Sequence, residues 1–199
     1  MMKPRVVTTL VLASQSPRRR ELLTSLGLDV DVDPSRYNEM NLPELPPIEL
    51  ARKHAREKLR DVLARHPRGL VVAADTVVEL DGISLGKPDD PAQAAEMLRA
   101  LSGRKHLVHT AFATSLDGGD VTERTETTEV RFWPLSEEEI AAYVATGDSM
   151  DKAGAYGIQG RGAALVQRID GDFYTVMGFP LGLFVRTMRE HGVQLGVNG

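Results

Sequence analysis

Short apolar runs alternate with amphipathic segments along this 199-residue chain, and this alternation limits the possible folds more than any other feature. The runs at residues 6–12 and 70–74 are rich in β-branched side chains and have the length of buried strands. Segments with apolar residues at helical spacing follow them, at residues 17–26 and 91–101. Because no internal repeat accompanies the alternation, we expect a mixed, twisted α/β sheet flanked by helices, as one compact domain or as two lobes that share a core.

Capping residues indicate where several of these elements begin and end. Ser16 and Pro17 suit the N-cap and the first position of the first helix, which we expect to end at Gly27. Ser136 and Glu139 form a capping box before another helix. The remaining predictions are helices at 48–63, 91–101 and 181–191, strands at 70–74, 77–80, 108–116, 122–132 and 163–169, irregular segments at 29–47 and 154–162, and a flexible tail at 192–199. Within 29–47, Val30 and Val32 could lie in a short strand.

Composition excludes several classes of function. Lys and Arg number 24 against 28 Asp and Glu, a formal net charge of -4, so no overall positive field exists to attract nucleic acid. The absence of cysteine rules out disulfides and a cysteine nucleophile and suits a cytoplasmic protein. No stretch approaches the roughly 20 apolar residues of a membrane span, and threonines weaken the N-terminal run as a secretion signal. A Walker A loop, an H-E-x-x-H zinc motif and a G-x-S-x-G elbow are all missing.

Ser14, Ser16, Arg18 and Arg19 lie where the first predicted strand gives way to a helix. The N–H groups at a helix start lack partners, the helix dipole favours negative charge there, and hydroxyl and guanidinium groups add directed donors. The segment therefore suits a phosphate group. The alternative is a plain capped helix with solvated arginines, and Arg20, about 100° further round, is expected to face solvent in either case.

Three further segments could carry chemistry, and each has an ordinary alternative. Asp75-Thr76 follows an apolar run, and ligands of open α/β sheets collect beyond the carboxyl ends of strands, although a turn aspartate fits as well. Lys87, in a Gly-Lys-Pro sequence, suits a phosphate but is also typical of an exposed loop. In the glycine-rich segment 151–160 the Gln159 amide could pair with a nucleobase edge, or the segment could be a routine surface loop.

Taken in order, these segments resemble the motifs of the Maf family of nucleoside triphosphate pyrophosphatases. The matching motifs are LASQSPRRRELL from Leu12, AADTVV from Ala73, GKP from Gly86, MLRALSGRKHLVHTA from Met97, DKAGAYGIQG from Asp151 and DFYTVMGFP from Asp172. The resemblance implies a single domain over residues 1–199, with an active-site cleft between two lobes. It also implies hydrolysis between the α and β phosphates of a nucleoside triphosphate, which yields the monophosphate and pyrophosphate with a divalent cation, Mg2+ or Mn2+.

The resemblance also implies a role for individual residues of this chain. The phosphates would be held by one hydroxyl and four cations, namely Ser14, Arg18, Arg19, Lys58 and Lys87. Asp75 would accept the proton of the attacking water, and Glu39 would join Asp75 in binding the metal ion or would assist the water. Lys58 fits the helix of the family better than Lys53 does. Asn38-Glu39 stands where the family has two acidic residues, which leaves one carboxylate fewer here.

Substrate choice in the family follows three positions, which are Arg18, Thr76 and Gln159 in this chain. The combination is similar to that of the branch acting on dTTP and UTP, since a neutral amide can pair with the edge of uracil or thymine. The branch acting on 7-methyl-GTP carries an acidic residue instead of the glutamine, which suits a cationic ring. A nucleotide-binding regulator of cell division with little turnover stays open as another class, and a homodimer is a possible state. An RNA-contacting protein is disfavoured by the acidic balance and the few aromatic residues.

Overall fold

The computed structural model describes residues 4–40 and 42–196. Within them the strands of the main sheet are β2 (Thr9–Leu12), β3 (Asp29–Val32), β4 (Leu70–Leu80), β5 (Ile83–Leu85), β6 (Lys105–Leu116), β7 (Thr122–Phe132) and β8 (Val166–Asp170). Their order is β3-β2-β4-β6-β7-β8, with β5 beside β4. A separate parallel pair, β1 (Arg5–Val7) and β9 (Val193–Leu195), brings the two ends of the described chain together.

Helices cover both faces of this sheet. They are α1 (Pro17–Thr24), α2 (Pro47–Leu63), α3 (Pro91–Leu101), α4 (Glu137–Val144), α5 (Phe173–Met177) and α6 (Leu181–Glu190). None of these helices combines the length and the hydropathy needed to cross a bilayer. β2, β3 and β4 run parallel, whereas β4, β6, β7 and β8 pair antiparallel. The predicted mixed α/β sheet with flanking helices is therefore confirmed.

The sheet carries one apolar core on one face and two on the other. On the first face, α2 packs its alanine, leucine and valine side chains against β4 and β6. On the opposite face, α1 and α6 pack against the first half of β4, and α3 and α4 pack against its second half. Thr76 on β4 and Thr110 on β6 stand opposite each other between these two cores. Polar side chains thus interrupt the apolar face where two lobes meet.

One edge of β4 is open in its middle. β2 pairs with this edge as far as Val72, and β5 pairs with it again from Val78, while β6 occupies the other edge throughout. Among residues 4–40 and 42–196, no strand pairs with the intervening Ala73–Val77 on the open edge. The chain leaving β2 at Ser14 and the chain leaving β5 at Gly86 lie on either side of the opening. Three residues predicted from the sequence, Ser14, Arg19 and Thr76, lie together at this gap.

Local sequence signals predict several boundaries correctly. α1 begins at Pro17 with Ser16 as its N-cap, and both hydrogen bonds of the capping box between Ser136 and Glu139 are present at α4. β6 and β7 pair antiparallel over ten residues of each, as expected for 108–116 and 122–132. These signals work because each depends on residues close together in the chain.

Other boundaries differ from the predictions. Residues 6–12 are not one strand, because the chain breaks at Thr8, whose carbonyl accepts a hydrogen bond from Asp29 N–H at 2.8 Å. Asp75-Thr76 does not follow the end of a strand, since pairing with β6 continues through both residues. The strand expected at 163–169 starts at Val166 after a 3₁₀ turn, and α5 was not predicted. The expected tail at 192–199 includes β9, and its residues 197–199 lie outside the described chain.

Candidate active site

Lys58 lies on the buried side of α2 and contacts two carboxylates. Its Nζ is 2.6 Å from Asp75 Oδ1 and 2.7 Å from Glu39 Oε1. In the sequence of α2, Lys58 takes the place of an apolar residue in the stripe that packs on the sheet. The side chains of Lys58 and Asp75 are less than a tenth exposed, whereas that of Glu39 is 47% exposed. The ammonium group therefore joins a buried carboxylate to one that reaches the surface.

The charge of Lys58 governs the ionisation of Glu39. Burial acts to raise the pKa of Glu39, but the charge and the hydrogen bond of Lys58, together with the charges of Lys87 and His54, outweigh burial and leave this pKa below its ordinary value. Moving charged groups out of water costs several kcal/mol per ion, and buried ion pairs seldom repay that cost in stability. The arrangement therefore suits a site whose carboxylates must stay ionised more than it suits a core.

The segment of residues 33–39 runs along α2 in the opposite direction and positions the glutamate. At its start, Asp33 Oδ2 accepts a hydrogen bond from Arg65 Nε at 2.9 Å. Further along, the Tyr37 hydroxyl lies 3.2 Å from Nδ1 of His54, which is one helical turn before Lys58. These contacts hold an irregular segment against a rigid helix. The position of Glu39 is therefore fixed by α2, although Glu39 itself lies outside any helix or strand.

Arg19 lies at the open edge of β4 with its guanidinium held from three sides. Nε donates to the Gly178 carbonyl at 2.8 Å, Nη1 to Ser14 Oγ at 3.2 Å and Nη2 to Thr76 Oγ1 at 3.1 Å. Burial lowers the pKa of Arg19, and the nearby Asp75 and Glu39 oppose that shift. A guanidinium has five N–H donors, so one on each terminal nitrogen is left for an anion. The fixed fork is preorganised for a phosphate.

The first turn of α1 supplies further donors beside Arg19. Ser14 Oγ accepts from both Arg19 Nη1 and the Ser16 backbone N–H, which leaves its own hydrogen to donate to a ligand. Arg18 Nη1 lies 3.5 Å from Asp151 Oδ2, a carboxylate of the other lobe. Arg20 is exposed, as expected. The predicted phosphate cradle therefore has hydroxyl and guanidinium groups that face one region.

The other two predicted site residues, Lys87 and Gln159, lie on loops of the second lobe. Lys87 is exposed and close enough to Glu39 to lower its pKa, and the loop that carries it accepts a hydrogen bond at the Gly86 carbonyl from Gly154 N–H at 3.0 Å. Gln159 is exposed between two 3₁₀ segments, Ala153–Ala155 and Gly160–Leu165. In the described part of the chain no hydrogen bond holds the Gln159 amide, so it is not tied to the other predicted residues.

Several contacts of the site have no signal in the sequence. The Gly178 carbonyl, which fixes Arg19, belongs to a Gly-Phe-Pro turn whose backbone direction only the fold defines. A Cβ built on Gly178, whose φ is +112°, would lie 3.5 Å from Thr76 Oγ1. Thr110 was predicted only as part of a strand, and its hydroxyl contacts Thr76 at 3.0 Å. Polar residues at positions of an otherwise apolar strand face are the one clue that could have indicated Thr110.

Asp75 and Glu39 are the side chains best placed to hold a cation. Among residues 4–40 and 42–196, no group of three or more histidine or carboxylate side chains forms a complete metal cage. Mg2+ typically binds one or two carboxylates and takes its remaining ligands from phosphates and water. Two carboxylates that meet at one ammonium next to a phosphate cradle fit a cation of that type.

Fold and site together define an α/β protein with two carboxylates paired to Lys58 and with Arg19 beside them at the open edge of β4. The fold is similar to the solved structure of a HAM1 protein from Coxiella burnetii, with a TM-score of 0.50 and 16% identity, covering 92% of this chain and 100% of that chain. At this identity the likeness concerns the fold alone. The chain belongs to the family described as Maf-like protein, which it matches over residues 9–191.

Individual relatives of this chain carry a more specific name than the family. A protein of Bacillus velezensis named dTTP/UTP pyrophosphatase is 50% identical over 186 residues, covering 93% of this chain and 97% of the relative. A protein of Thermus thermophilus with the same name is 52% identical over 172 residues, covering 86% of this chain and 89% of the relative. The family membership indicated by the sequence motifs is thereby confirmed.

Proposed function

We propose that this protein hydrolyses nucleoside triphosphates between the α and β phosphates, with dTTP and UTP as its preferred substrates. The observation that carries the proposal is the contact of Lys58 with Asp75 and Glu39, which places two carboxylates beside the Arg19 fork. The names of the relatives, dTTP/UTP pyrophosphatase, support the choice of substrate. A cytoplasmic location agrees with this substrate and with the absence of cysteine.

In this proposal the carboxylates act on the attacking water. A free aspartate has a pKa near 3.9 and is a poor base for bulk water, whose pKa is about 15.7. We assign Asp75 and Glu39 as ligands of a divalent cation, Mg2+ or Mn2+, which when bound supplies acidification of the water and shields phosphate charge. Asp75 orients the water and accepts its proton at a carboxylate oxygen. Lys58 forms an ion pair with each carboxylate and helps to keep the pKa of Glu39 below its ordinary value.

The phosphates are assigned to the opposite wall of the opening. Arg19 offers its two remaining N–H groups, Ser14 offers its hydroxyl hydrogen, and Arg18 and Lys87 add positive charge from the two lobes. Donors fixed in place before the reaction stabilise developing charge without having to reorganise. Lys58 was assigned to the phosphates by the resemblance, but its contacts with the carboxylates suit it better to the side of the water.

A panel of nucleoside triphosphates tests the proposal. Purified protein is incubated with dTTP, UTP, dCTP, GTP or 7-methyl-GTP and with Mg2+ or Mn2+, and pyrophosphate and orthophosphate are measured separately. We expect pyrophosphate from dTTP and UTP, with kcat/KM at least about tenfold above the other substrates, since one good hydrogen bond to the base contributes about that factor. Orthophosphate as the product, preference for 7-methyl-GTP, or binding without turnover would each contradict it.

A further inference from the structure

A chain of hydroxyl groups leads from the phosphate cradle into the protein interior. Arg19 Nη2 lies 3.1 Å from Thr76 Oγ1, which lies 3.0 Å from Thr110 Oγ1. Thr110 Oγ1 in turn lies 2.7 Å from the Thr175 carbonyl oxygen. Thr110 and Thr175 are fully buried, whereas Thr76 is partly exposed. Of these three threonines, only Thr76 can therefore contact a ligand.

The direction of each hydrogen bond in the chain follows from the groups at its two ends. A threonine hydroxyl has one hydrogen and two lone pairs, while a carbonyl oxygen can only accept. Thr110 must therefore donate its hydrogen to Thr175, and Thr76 must donate its own hydrogen to Thr110. Arg19 is a pure donor and occupies one lone pair of Thr76. What Thr76 can still offer to the cleft is a single lone pair.

We propose that Thr110 is a positioning residue that determines which nucleobase the cleft accepts, because it holds the Thr76 hydroxyl as an acceptor. The inference rests on the proposed pyrophosphatase function. The remaining lone pair of the partly exposed Thr76 hydroxyl repels phosphate oxygens and favours an N–H donor. The N3 position of thymine or uracil carries such a donor, whereas N3 of cytosine is itself an acceptor. Thr110 thus acts through Thr76 and does not touch the nucleotide.

Thr110→Val tests this role, since it keeps the shape of the side chain and removes its hydroxyl. The Thr175 carbonyl also accepts from Gly178 N–H at 3.0 Å, so it keeps a partner in the variant. The Thr76 hydroxyl is then released to donate outward. We expect the ratio of kcat/KM for dTTP to that for dCTP to fall about tenfold, and Thr110→Ser to restore it. If Thr110→Val does not fold, Thr110→Ala removes the same hydroxyl without adding a methyl group in its place.

Thr114→Val is the matched control. Thr114 is a buried residue of the same strand whose hydroxyl donates to the Val71 carbonyl at 3.0 Å, and it has no contact with Thr76. The Thr114→Val substitution should lower the melting temperature by an amount similar to Thr110→Val. It should leave the ratio of kcat/KM for dTTP to that for dCTP unchanged. A general effect of a lost buried hydroxyl is thereby separated from an effect on base choice.

A double-mutant cycle with Thr76→Val shows whether Thr110 acts through Thr76. In the Thr76→Val background, Thr110→Val should leave the substrate ratio unchanged. The inference is overturned if Thr110→Val alone leaves the ratio at its wild-type value, or if it lowers the ratio equally with and without the Thr76 hydroxyl. Lack of turnover by the wild-type protein would instead overturn the proposed function, so the two failures are distinguishable.

Discussion

Lys58 is a buried cation, and ion pairs with two carboxylates of unequal exposure offset the free-energy cost of its burial. Asp75 shares its burial, and Glu39 reaches the surface from an irregular segment held against α2. Loss of one member of a buried ion pair leaves the other without compensation and usually costs more than the pair contributed. A substitution at Lys58, Asp75 or Glu39 should therefore change the electrostatic environment of the other two residues as well as remove its own contacts.

Asp75→Asn removes a charge and keeps the shape of the side chain. Lys58 still has Glu39 as an ionic partner at 2.7 Å, so we expect the fold to persist. Turnover of dTTP should fall by about 100- to 10,000-fold, the usual contribution of a general base. The affinity for dTTP should change little, because the cations of the cradle stay in place. Pyrophosphate release and calorimetric titration measure the two quantities, and near-normal turnover would refute the assignment of Asp75.

Lys58→Met should shift the pH dependence of the reaction. Lys58 helps to hold the pKa of Glu39 below its ordinary value, and without the ammonium group burial is opposed only by the charges of Lys87 and His54, so the pKa rises. Glu39 must be ionised for activity in the proposed mechanism, so activity is lost as the pH falls through its pKa. The acid limb of the profile of kcat/KM against pH should therefore move to higher pH.

Lys53→Met is the control for that shift. Lys53 is on the same helix and forms no ion pair within the described residues. Its removal changes the net charge of the protein by the same amount as Lys58→Met. The acid limb should stay where it is in the wild-type protein, and an equal shift in both variants would mean that Lys58 acts only through net charge.

At the scale of helices and strands, a feature could be predicted from the sequence when the residues that determine it lie close together in the chain. The helix caps were predictable because each depends on residues within four positions. The continuity of β4 was not, since Asp75-Thr76 resembles a break and only pairing with β6 keeps it extended. The resemblance implied that Lys58, Asp75 and Glu39 belong to one site, but the ion pairs of Lys58 with the two carboxylates were not predicted, because no spacing along the chain encodes which distant residues touch.

The loop that carries Gln159 depends on a glycine after it. A Cβ on Gly162 would lie 1.9 Å from the Gly157 carbonyl oxygen, a distance that forces the backbone to move. We expect Gly162→Ala to lower kcat/KM for dTTP by about 10- to 100-fold, since a displacement of about 1 Å at a binding group has that effect. Steady-state kinetics measure it, and unchanged kcat/KM would show that the loop does not position the base.

Gly147→Ala provides the comparison for this loop. Gly147 follows α4 with a φ of +77°, and a Cβ there meets nothing within 4 Å. The substitution should cost about 1 to 3 kcal/mol of stability through backbone strain and leave kcat/KM for dTTP unaffected. Comparison of Gly162→Ala with Gly147→Ala separates an effect of displacing the Gln159 loop from an effect of lower stability.

At the scale of the whole molecule, the two lobes contribute different parts of the proposed site. The first supplies Ser14 and Arg19, and the second supplies the loop of Gln159, which is anchored through Tyr156. The Tyr156 hydroxyl lies 2.7 Å from His106 Nε2, and the His106 ring packs edge-on against Phe132 and Tyr156. A buried, titratable ring is thus part of the core of the second lobe.

Stability should fall with acidification because of this ring. Burial lowers the pKa of His106 to about 4 from an ordinary 6.5. Between these values the unfolded chain binds a proton that the folded protein excludes, so stability is lost as the pH falls from 6.5 towards 4. Urea unfolding at pH 7 and pH 5 should differ by about 2 kcal/mol from this group. His106→Gln should remove that difference, and an unaltered difference would assign it elsewhere.

β4 and β6 pass without interruption through both lobes, so the division of the apolar face into two cores does not divide the backbone beneath it. If either core melts, the strands of the other lose part of their pairing. The molecule should therefore unfold as one cooperative unit. Fluorescence of Trp133, at the end of β7 in the second lobe, and far-ultraviolet circular dichroism of the whole chain should give coincident denaturation curves. A nucleotide held by both lobes would then raise a single melting transition, and its binding energy would be shared by the entire protein.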